Sequence, residues 1–330
     1  MADHAGDDFD GNIFIYRGGR APQHVSHVLI DKSLDEIEDR AFYECELLVQ
    51  VETHDDIRKI GKEAFQDCKS LRRINLKSVV EVDENAFYGC ENLESIEFGD
   101  RLEIIGRNVF NGYSKKHLTL DHLKLPSIIT IGESAFYRSE RLTDVELSER
   151  LETIEVHAFR NCGRLQRIAV PLKRDLFVYD AREEYNQFHG CDQLTTVDLV
   201  GGIHKTVASL HMESWRTEME TEINRINQVL PDTPAHNKTN EIRQWMELVL
   251  DKMDHYKAEH SRYVKEGITL LELALWKAKL GEKEEYTVEE GKTKKAKVDA
   301  ESYRQDKRIT CGADMVIKNV LPFLQLNEQW

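Results

Sequence analysis

Among the residues of this chain able to do chemistry, cysteine is the one that recurs with a period. Cys45, Cys68, Cys90, Cys162 and Cys191 each follow a phenylalanine by three residues, as in ENAFYGCENLESIEF at 84–98. Thiols at a fixed spacing can ligate zinc, close disulfides or act as nucleophiles. Zinc ligands come as close pairs such as CxxC with a matching partner, and the sequence has none. The same column accepts Tyr113 and Ser139. It therefore asks for something small to medium at a wall position, and these thiols are expected to pack as small buried hydrophobes. Disulfides are the remaining alternative. Rungs stacked at about 4.8 Å make Cys45–Cys68, Cys68–Cys90 and Cys162–Cys191 sterically conceivable in an oxidising compartment.

Other constellations are weaker. The 13 histidines form no HExxH or HxH pair, and His24 and His27 read as surface residues flanking a strand-like VSHVLI. No GxSxG, GxxxxGK[ST] or GxGxxG occurs, and NKT at 237–239 reads as a chance sequon. No catalytic residue, metal site or cofactor is expected. A net charge of −15 argues against a broad electrostatic grip on nucleic acid or anionic membrane. No run of about 18 uncharged apolar residues exists. The opening MADHAGDDFDG lacks a basic-then-apolar leader, so the expected setting is reducing and cytoplasmic, with the nucleus open as an alternative.

The phenylalanines that precede the thiols set the frame. Phe42, Phe65, Phe87, Phe110, Phe136, Phe159 and Phe188 are spaced by 23, 22, 23, 26, 23 and 29 residues. Ile or Val lies four before each Ala-Phe start, from Ile37 to Ile154, and Leu48, Leu71, Leu93, Leu142, Leu165 and Leu194 follow the cysteine column by three. Strand-like pairs such as Ile74/Leu76, Ile96/Phe98, Val145/Leu147 and Val197/Leu199 close each unit. One such unit cannot bury its apolar residues alone, whereas stacked units share a continuous core. The fold expected is an α+β chain: about seven repeats of stacked short parallel strands, then helices. The expected segments are an acidic N-terminal tail and lead-in strand over 1–24, a solenoid over 25–202, a helical hairpin or coiled-coil-like region over 203–280, a flexible charged linker over 281–297 and a terminal helix over 298–330.

The unit LxxIxL…VxxIxxxAFxxC resembles the BspA-type leucine-rich repeat over about residues 25–200. That resemblance implies a curved solenoid used for protein recognition. The order of repeats followed by EINRINQVLP, IRQWM, LELALWKAKL and ITCGADMVIKNVLPF is also similar to a group of diatom proteins, which implies a microalgal source and a shared second module. Two repeats depart from the template. The fourth, VFNGYSKKHLTLDHLKLPS, has three extra residues and Lys116 in place of Leu. The seventh has six extra residues and Glu183 where Ile is expected.

Residues between the apolar anchors of each strand should point outward. The column just before the final anchor reads Glu52, Asn75, Glu97, Thr119, Glu146, Ala169, Asp198, and two positions earlier it reads Gln50, Arg73, Ser95, His117, Asp144, Arg167, Thr196. The first column is acidic with no basic member, which suits a partner with a basic segment. The protein-binding face is thus expected at Glu52, Arg73, Asn75, Ser95, Glu97, Asp144, Glu146, Arg167 and Asp198. The plain alternative is that these are solubilising residues on a sheet.

After Gly201-Gly202 helical periodicity takes over: Trp215, Met219, Ile223, Ile226 and Leu230 share one face, and Pro231 and Pro234 end it. A 4-3 series then runs through Ile242, Met246, Val249, Met253, Tyr256, His260, Tyr263, Gly267, Leu270 and Ala274. It predicts either one continuous helix or two, with a new capping box at Thr269–Glu272 after a break at Gly267. GEKEEYTVEEGKTKKAK reads as the linker, and ADMVIKNVLPFL as the last helix, kinked or ended near Pro322. The function expected is a non-enzymatic protein-interaction scaffold. Its strand face would recognise the partner, and its helical tail would dock or self-associate, with a homo-oligomer forming through residues 203–280, or would instead cap the open end of the solenoid. The alternative is a secreted or surface-attached adhesion or ligand-binding protein.

Overall fold

The computed structural model describes residues 13–111, 120–178 and 186–286, with side chains to residue 277. Up to residue 199 the described chain winds in coils, six of which pair a front strand with a shorter rear strand. The front strands Ile13–Tyr16, His27–Ile30, Gln50–Glu52, Arg73–Leu76 and Ser95–Phe98 form one five-stranded sheet. His122–Lys124, Asp144–Glu146, Arg167–Val170 and Thr196–Leu199 form a second, of four. Two-residue rear strands from Glu36–Ile37 to Thr153–Ile154 make a six-stranded sheet. All pairings are parallel, and apolar residues register on apolar residues: Ile74 on Ile96, Ile168 on Val197, Ile37 on Ile60.

Between the walls the phenylalanine column forms a ring stack. Phe42, Phe65 and Phe87 lie 5.1 and 5.2 Å apart, each pair tilted by 3°. Phe136 and Phe159 stack at 5.4 Å, and Tyr16 opens the column 4.8 Å from Phe42. These rings are almost fully buried, which stabilises each coil by about 1.5–3 kcal/mol per ring. The AFxxC turn must also send its backbone N–H groups along the stack, and around Phe42, Phe65, Phe87, Phe136 and Phe159 it does so by placing the residues two before and two after the ring in the left-handed region. Glu63 (φ 55°) and Asp67 (φ 58°) are examples. Their N–H groups donate to Glu84 and Tyr88 carbonyls in the next coil at 2.9 and 2.8 Å, and Phe65 N–H donates to Ala86 at 2.9 Å. Coils approach so closely at the glycine after the rear-strand Ile that a Cβ on Gly132 would lie 2.5 Å from the Gly106 carbonyl carbon. That contact explains the IG dipeptide.

The fourth and seventh coils differ from the sequence expectation. The front strand of the fourth repeat, which holds Phe110, is His122–Lys124, with Leu123 and Leu125 as its buried anchors. His117 and Thr119, expected there, lie outside the described residues, as do Tyr113 and Lys116. LTLDHLKL offers two alternating windows, and pairing of His122 with Asp144 selects the later one. In the seventh coil the rear position is taken by Phe177, which bridges to Ile154 and meets Phe188 edge-on at 5.7 Å. Glu183 lies outside the described residues.

Among the described residues three helices follow: α1 (Gly202–Val207), α2 (Glu213–Val229) and α3 (Lys238–Tyr286), with a 3-10 turn at Leu230–Asp232 between the last two. The described chain divides into two compact units, the first comprising residues up to Val207 with Glu218–Leu250. In this unit Met219, Ile223, Ile226, Ile242, Trp245, Met246 and Val249 are buried, so this part of the seam read as a self-association surface is occupied within the chain. Polar side chains from the helices also serve the backbone of the last coil. Asn227 accepts from Val197 N–H at 2.8 Å and donates to its carbonyl at 3.2 Å. Thr239 accepts from Phe188 N–H at 3.1 Å. Lys238, 1% exposed, donates to the Asp192 and Leu194 carbonyls at 3.0 and 2.5 Å. Burial lowers its pKa.

The second unit holds residues 208–217 and α3 from Asp251 onward. Trp215 stacks on Tyr256 at 5.0 Å, and His211 on His260 at 3.9 Å, beside a concavity of about 180 Å³. The helix is continuous across Gly267. Thr269 Oγ1 donates to the Lys265 carbonyl one turn back at 2.9 Å instead of capping a new helix. It also runs to Tyr286, six residues into the segment expected as linker, because GEKEEY is made mostly of residues compatible with a helix. Residues 287–297, and the helix expected over 298–330, lie outside the described residues.

Candidate functional site

Cys45, Cys68, Cys90, Cys162 and Cys191 are buried and free. Each thiol donates to a backbone carbonyl about one coil back: Cys68 to Phe42 at 3.0 Å, Cys90 to Phe65 at 3.1 Å, Cys162 to Phe136 at 3.2 Å and Cys191 to Phe159 at 3.1 Å. Burial pushes the Cys45 thiol up to about 11, and the Cys68, Cys90 and Cys162 thiols also rise, chiefly through burial. A protonated, buried thiol is a poor nucleophile and metal ligand. Ser139 occupies the same column, but its hydroxyl is buried with no hydrogen-bond partner among the described residues. Among the described residues no group of three or more His, Cys, Asp or Glu could hold a metal ion. Nor is any helix there long and apolar enough to cross a membrane.

The front face carries the expected residues in two groups. On the first sheet the register aligns Ile13, His27, Gln50, Arg73 and Ser95 in one outward column. It aligns Ile15 with Leu29 and Leu29 with Glu52, then Asn75 with Glu97, in the other. Glu52, Arg73, Asn75, Ser95 and Glu97 line a shallow concavity of about 300 Å³, together with Gln50 and Thr53. Asp144, Glu146, Arg167 and Asp198 lie on the second sheet. Ala169, expected outward, is buried.

The charge pattern differs from the expected acidic stripe. Lys124 registers on Glu146 and pairs with it at 3.0 Å, so the column has a basic member that a shifted strand assignment concealed. Lys77 pairs with Glu97 at 2.7 Å, and Arg167 spans Asp144 at 3.0 Å and Asp198 at 2.6 Å. Among the described residues Glu52 accepts only from a neutral donor, Gln50 Nε2 at 3.2 Å. Arg73, in the same concavity, forms no ion pair among the described residues. The face also extends further than the repeat template indicated. Ile13 and Leu29 project at its start, 48% and 40% exposed. These precede the first Ala-Phe unit, so the six-position template could not reach them. The alternation in IFIY and HVLI was the available signal.

Comparisons with known proteins bear on this repeat. A model of the BspA type leucine rich repeat region matches six copies, over residues 22–125 and 114–214. Among solved structures the chain is similar to a T. pallidum leucine rich repeat protein, at 25% identity and TM-score 0.35 over 56% of this chain and 72% of that one. A leucine-rich repeat protein from Bacteroides ovatus ATCC 8483 is 19% identical, with TM-score 0.36, over 57% of this chain and 52% of that one. A leucine rich cell surface protein from Faecalibacterium prausnitzii A2-165 is 18% identical, with TM-score 0.33, over 55% and 61%. No curated protein matches the chain.

Proposed function

Because the chain belongs to the BspA type leucine-rich repeat family, whose repeats suggest a protein–protein interaction or adhesion-type role, we propose that it is a non-enzymatic interaction protein. Its front face receives a segment of another protein. One observation carries this reading: Glu52 and Arg73 sit in the same concavity of the first sheet with no ionic partner for either among the described residues. Charges held apart on a rigid sheet cost little further ordering when a partner supplies the counter-charges. Asn75 and Ser95 provide neutral hydrogen-bonding groups beside them, and Ile13 and Leu29 add an apolar end. The partner therefore carries both signs of charge beside an apolar residue, rather than a purely basic segment.

The scaffold reading places the protein in a reducing compartment. The alternative is surface adhesion. Locating a tagged full-length protein in its native cells distinguishes the two, and mass spectrometry of co-purified proteins names the partner. Cytosolic or nuclear signal with a stoichiometric protein partner supports the scaffold reading. Cell-surface signal, with fewer than five free thiols on the unfolded, unreduced protein, supports adhesion.

A further inference from the structure

Within the second unit, residues 208–217 rest on α3 through two ring contacts. His211 stacks on His260 with centroids 3.9 Å apart and planes 18° from parallel. Trp215 stacks on Tyr256 at 5.0 Å and reaches Tyr263 at 6.4 Å. Tyr256, His260 and Tyr263 are spaced by four and three residues, so one face of α3 receives both rings. Leu210 is buried beside the same concavity, and Arg216 Nε donates to its carbonyl at 2.6 Å.

The two contacts respond differently to acid. Trp and Tyr rings carry no charge near neutral pH, whereas histidine changes its charge there. Neutral imidazoles stack as other flat rings do, but two imidazolium ions 3.9 Å apart repel. Burial, His260 and Arg216 together hold the His211 pKa below the ordinary 6.5. From α3, Lys257 lines the same concavity and His255 meets the Tyr256 ring at 5.8 Å. Glu213 is the one carboxylate of residues 208–217. The carboxylates on this stretch of α3, Asp254 and Glu259, pair with Lys257 at 3.8 Å and Arg262 at 2.7 Å. Face-to-face rings also keep their nitrogen lone pairs in nearly parallel planes, so the two histidines do not converge on a metal ion.

We propose that residues 208–217 form a pH-operated clasp, closed on α3 while His211 and His260 are neutral and released when both are protonated. The open form takes up a second proton that the closed form resists. Closure is therefore fully favoured above pH 6.5 and weakens as the pH falls below it. Each proton bound only on opening shifts the ratio of open to closed by up to about tenfold per pH unit. Release bares the ring faces of Trp215 and Tyr256, the latter 7% exposed in the closed form.

The test follows amide hydrogen exchange at 208–217 in the full-length protein at pH 7.5 and 6.0, both above the pI of about 5.4. Each rate is divided by that of an unstructured peptide at the same pH. Wild type is compared with His211→Phe, which keeps a flat ring and removes the titrating group, and amides of Phe65 and Phe87 report that each protein is folded. The expected result is protection at 208–217 that falls at least threefold from pH 7.5 to 6.0 in the wild type and stays constant in the variant. His260→Phe should behave as His211→Phe does, and it supplies the same comparison if the first variant does not fold. Equal protection at both pH values in the wild-type chain overturns the proposal. So does an equal fall in wild type and variants, which assigns the pH dependence to other groups.

Discussion

The side-chain amide of Asn227 holds both backbone groups of Val197, accepting from its N–H at 2.8 Å and donating to its carbonyl at 3.2 Å. Within the stack the next strand would do this. Thr239 does the same for Phe188 N–H, whose counterpart Phe65 N–H donates to the carbonyl of Ala86 in the next coil. The helices thus end the solenoid by supplying in side chains what an eighth coil would supply in backbone, which answers the need of terminal repeats for covering. Thr239→Val keeps the shape and removes only the acceptor, leaving a buried N–H unpaired. A loss of about 1–3 kcal/mol in denaturant unfolding is expected, with faster exchange of the Phe188 amide. Unchanged stability would mean that water takes the place of the hydroxyl.

The ring stack predicts a large cost for a single gap. Phe87 lies between Phe65 at 5.2 Å and Phe110 at 5.6 Å. Phe87→Ala should lower stability by about 3–5 kcal/mol, measured by chemical denaturation. A loss below about 1 kcal/mol would contradict a shared core along the column.

Ser139 offers the opposite experiment. Its buried hydroxyl has no partner among the described residues, while the thiols of its column each reach a carbonyl. Ser139→Cys should therefore stabilise the protein by about 1 kcal/mol, and Cys90→Ser should destabilise it by a similar amount. Differential scanning calorimetry reads both as opposite shifts in Tm.

Alkaline pH gives a third test. The folded-state pKa values of the Cys45, Cys68, Cys90 and Cys162 thiols lie above the ordinary value of 9.0, chiefly through burial. Above pH 9 the unfolded chain loses these protons and the folded chain keeps them, so the folded state binds more protons and stability falls as pH rises. Each thiol contributes a slope of up to about 1.4 kcal/mol per pH unit. The contribution is fully present below pH 9. Lys238 has the opposite sign, because its folded pKa is lowered, but it is one group against four. Denaturation midpoints measured between pH 8 and 10.5 should fall steadily, and fall less in a Cys68→Ala/Cys162→Ala background.

The repeated columns were legible because each apolar position recurs at one spacing and must stack on its equivalents: Phe65 on Phe87, Leu71 before Ile74, Cys68 under Phe42. The front strand of the fourth repeat was not. LTLDHLKL alternates throughout, and only pairing of His122 with Asp144 chooses between Leu118/Leu120 and Leu123/Leu125 as anchors. That shift also hid Lys124, and with it the break in the acidic column. Phe177 escaped because six inserted residues moved the rear position forward of its expected place. The capping residues Asn227, Lys238 and Thr239 are single polar side chains without periodicity. Their role exists only once the last coil is placed beside them.

The central claim is that the first front sheet recognises a partner through Glu52 and Arg73. The most direct measurement is quantitative capture from native cells with three tagged full-length proteins: wild type, Glu52→Lys/Arg73→Glu on the front face, and, as a control, Glu36→Lys at an exposed position of the rear strand Glu36–Ile37. Proteins retained by wild type and the rear-side variant, and lost at least tenfold with the front-face variant of unchanged Tm, are the predicted result. Retention of the same proteins in the same amounts by all three would contradict it.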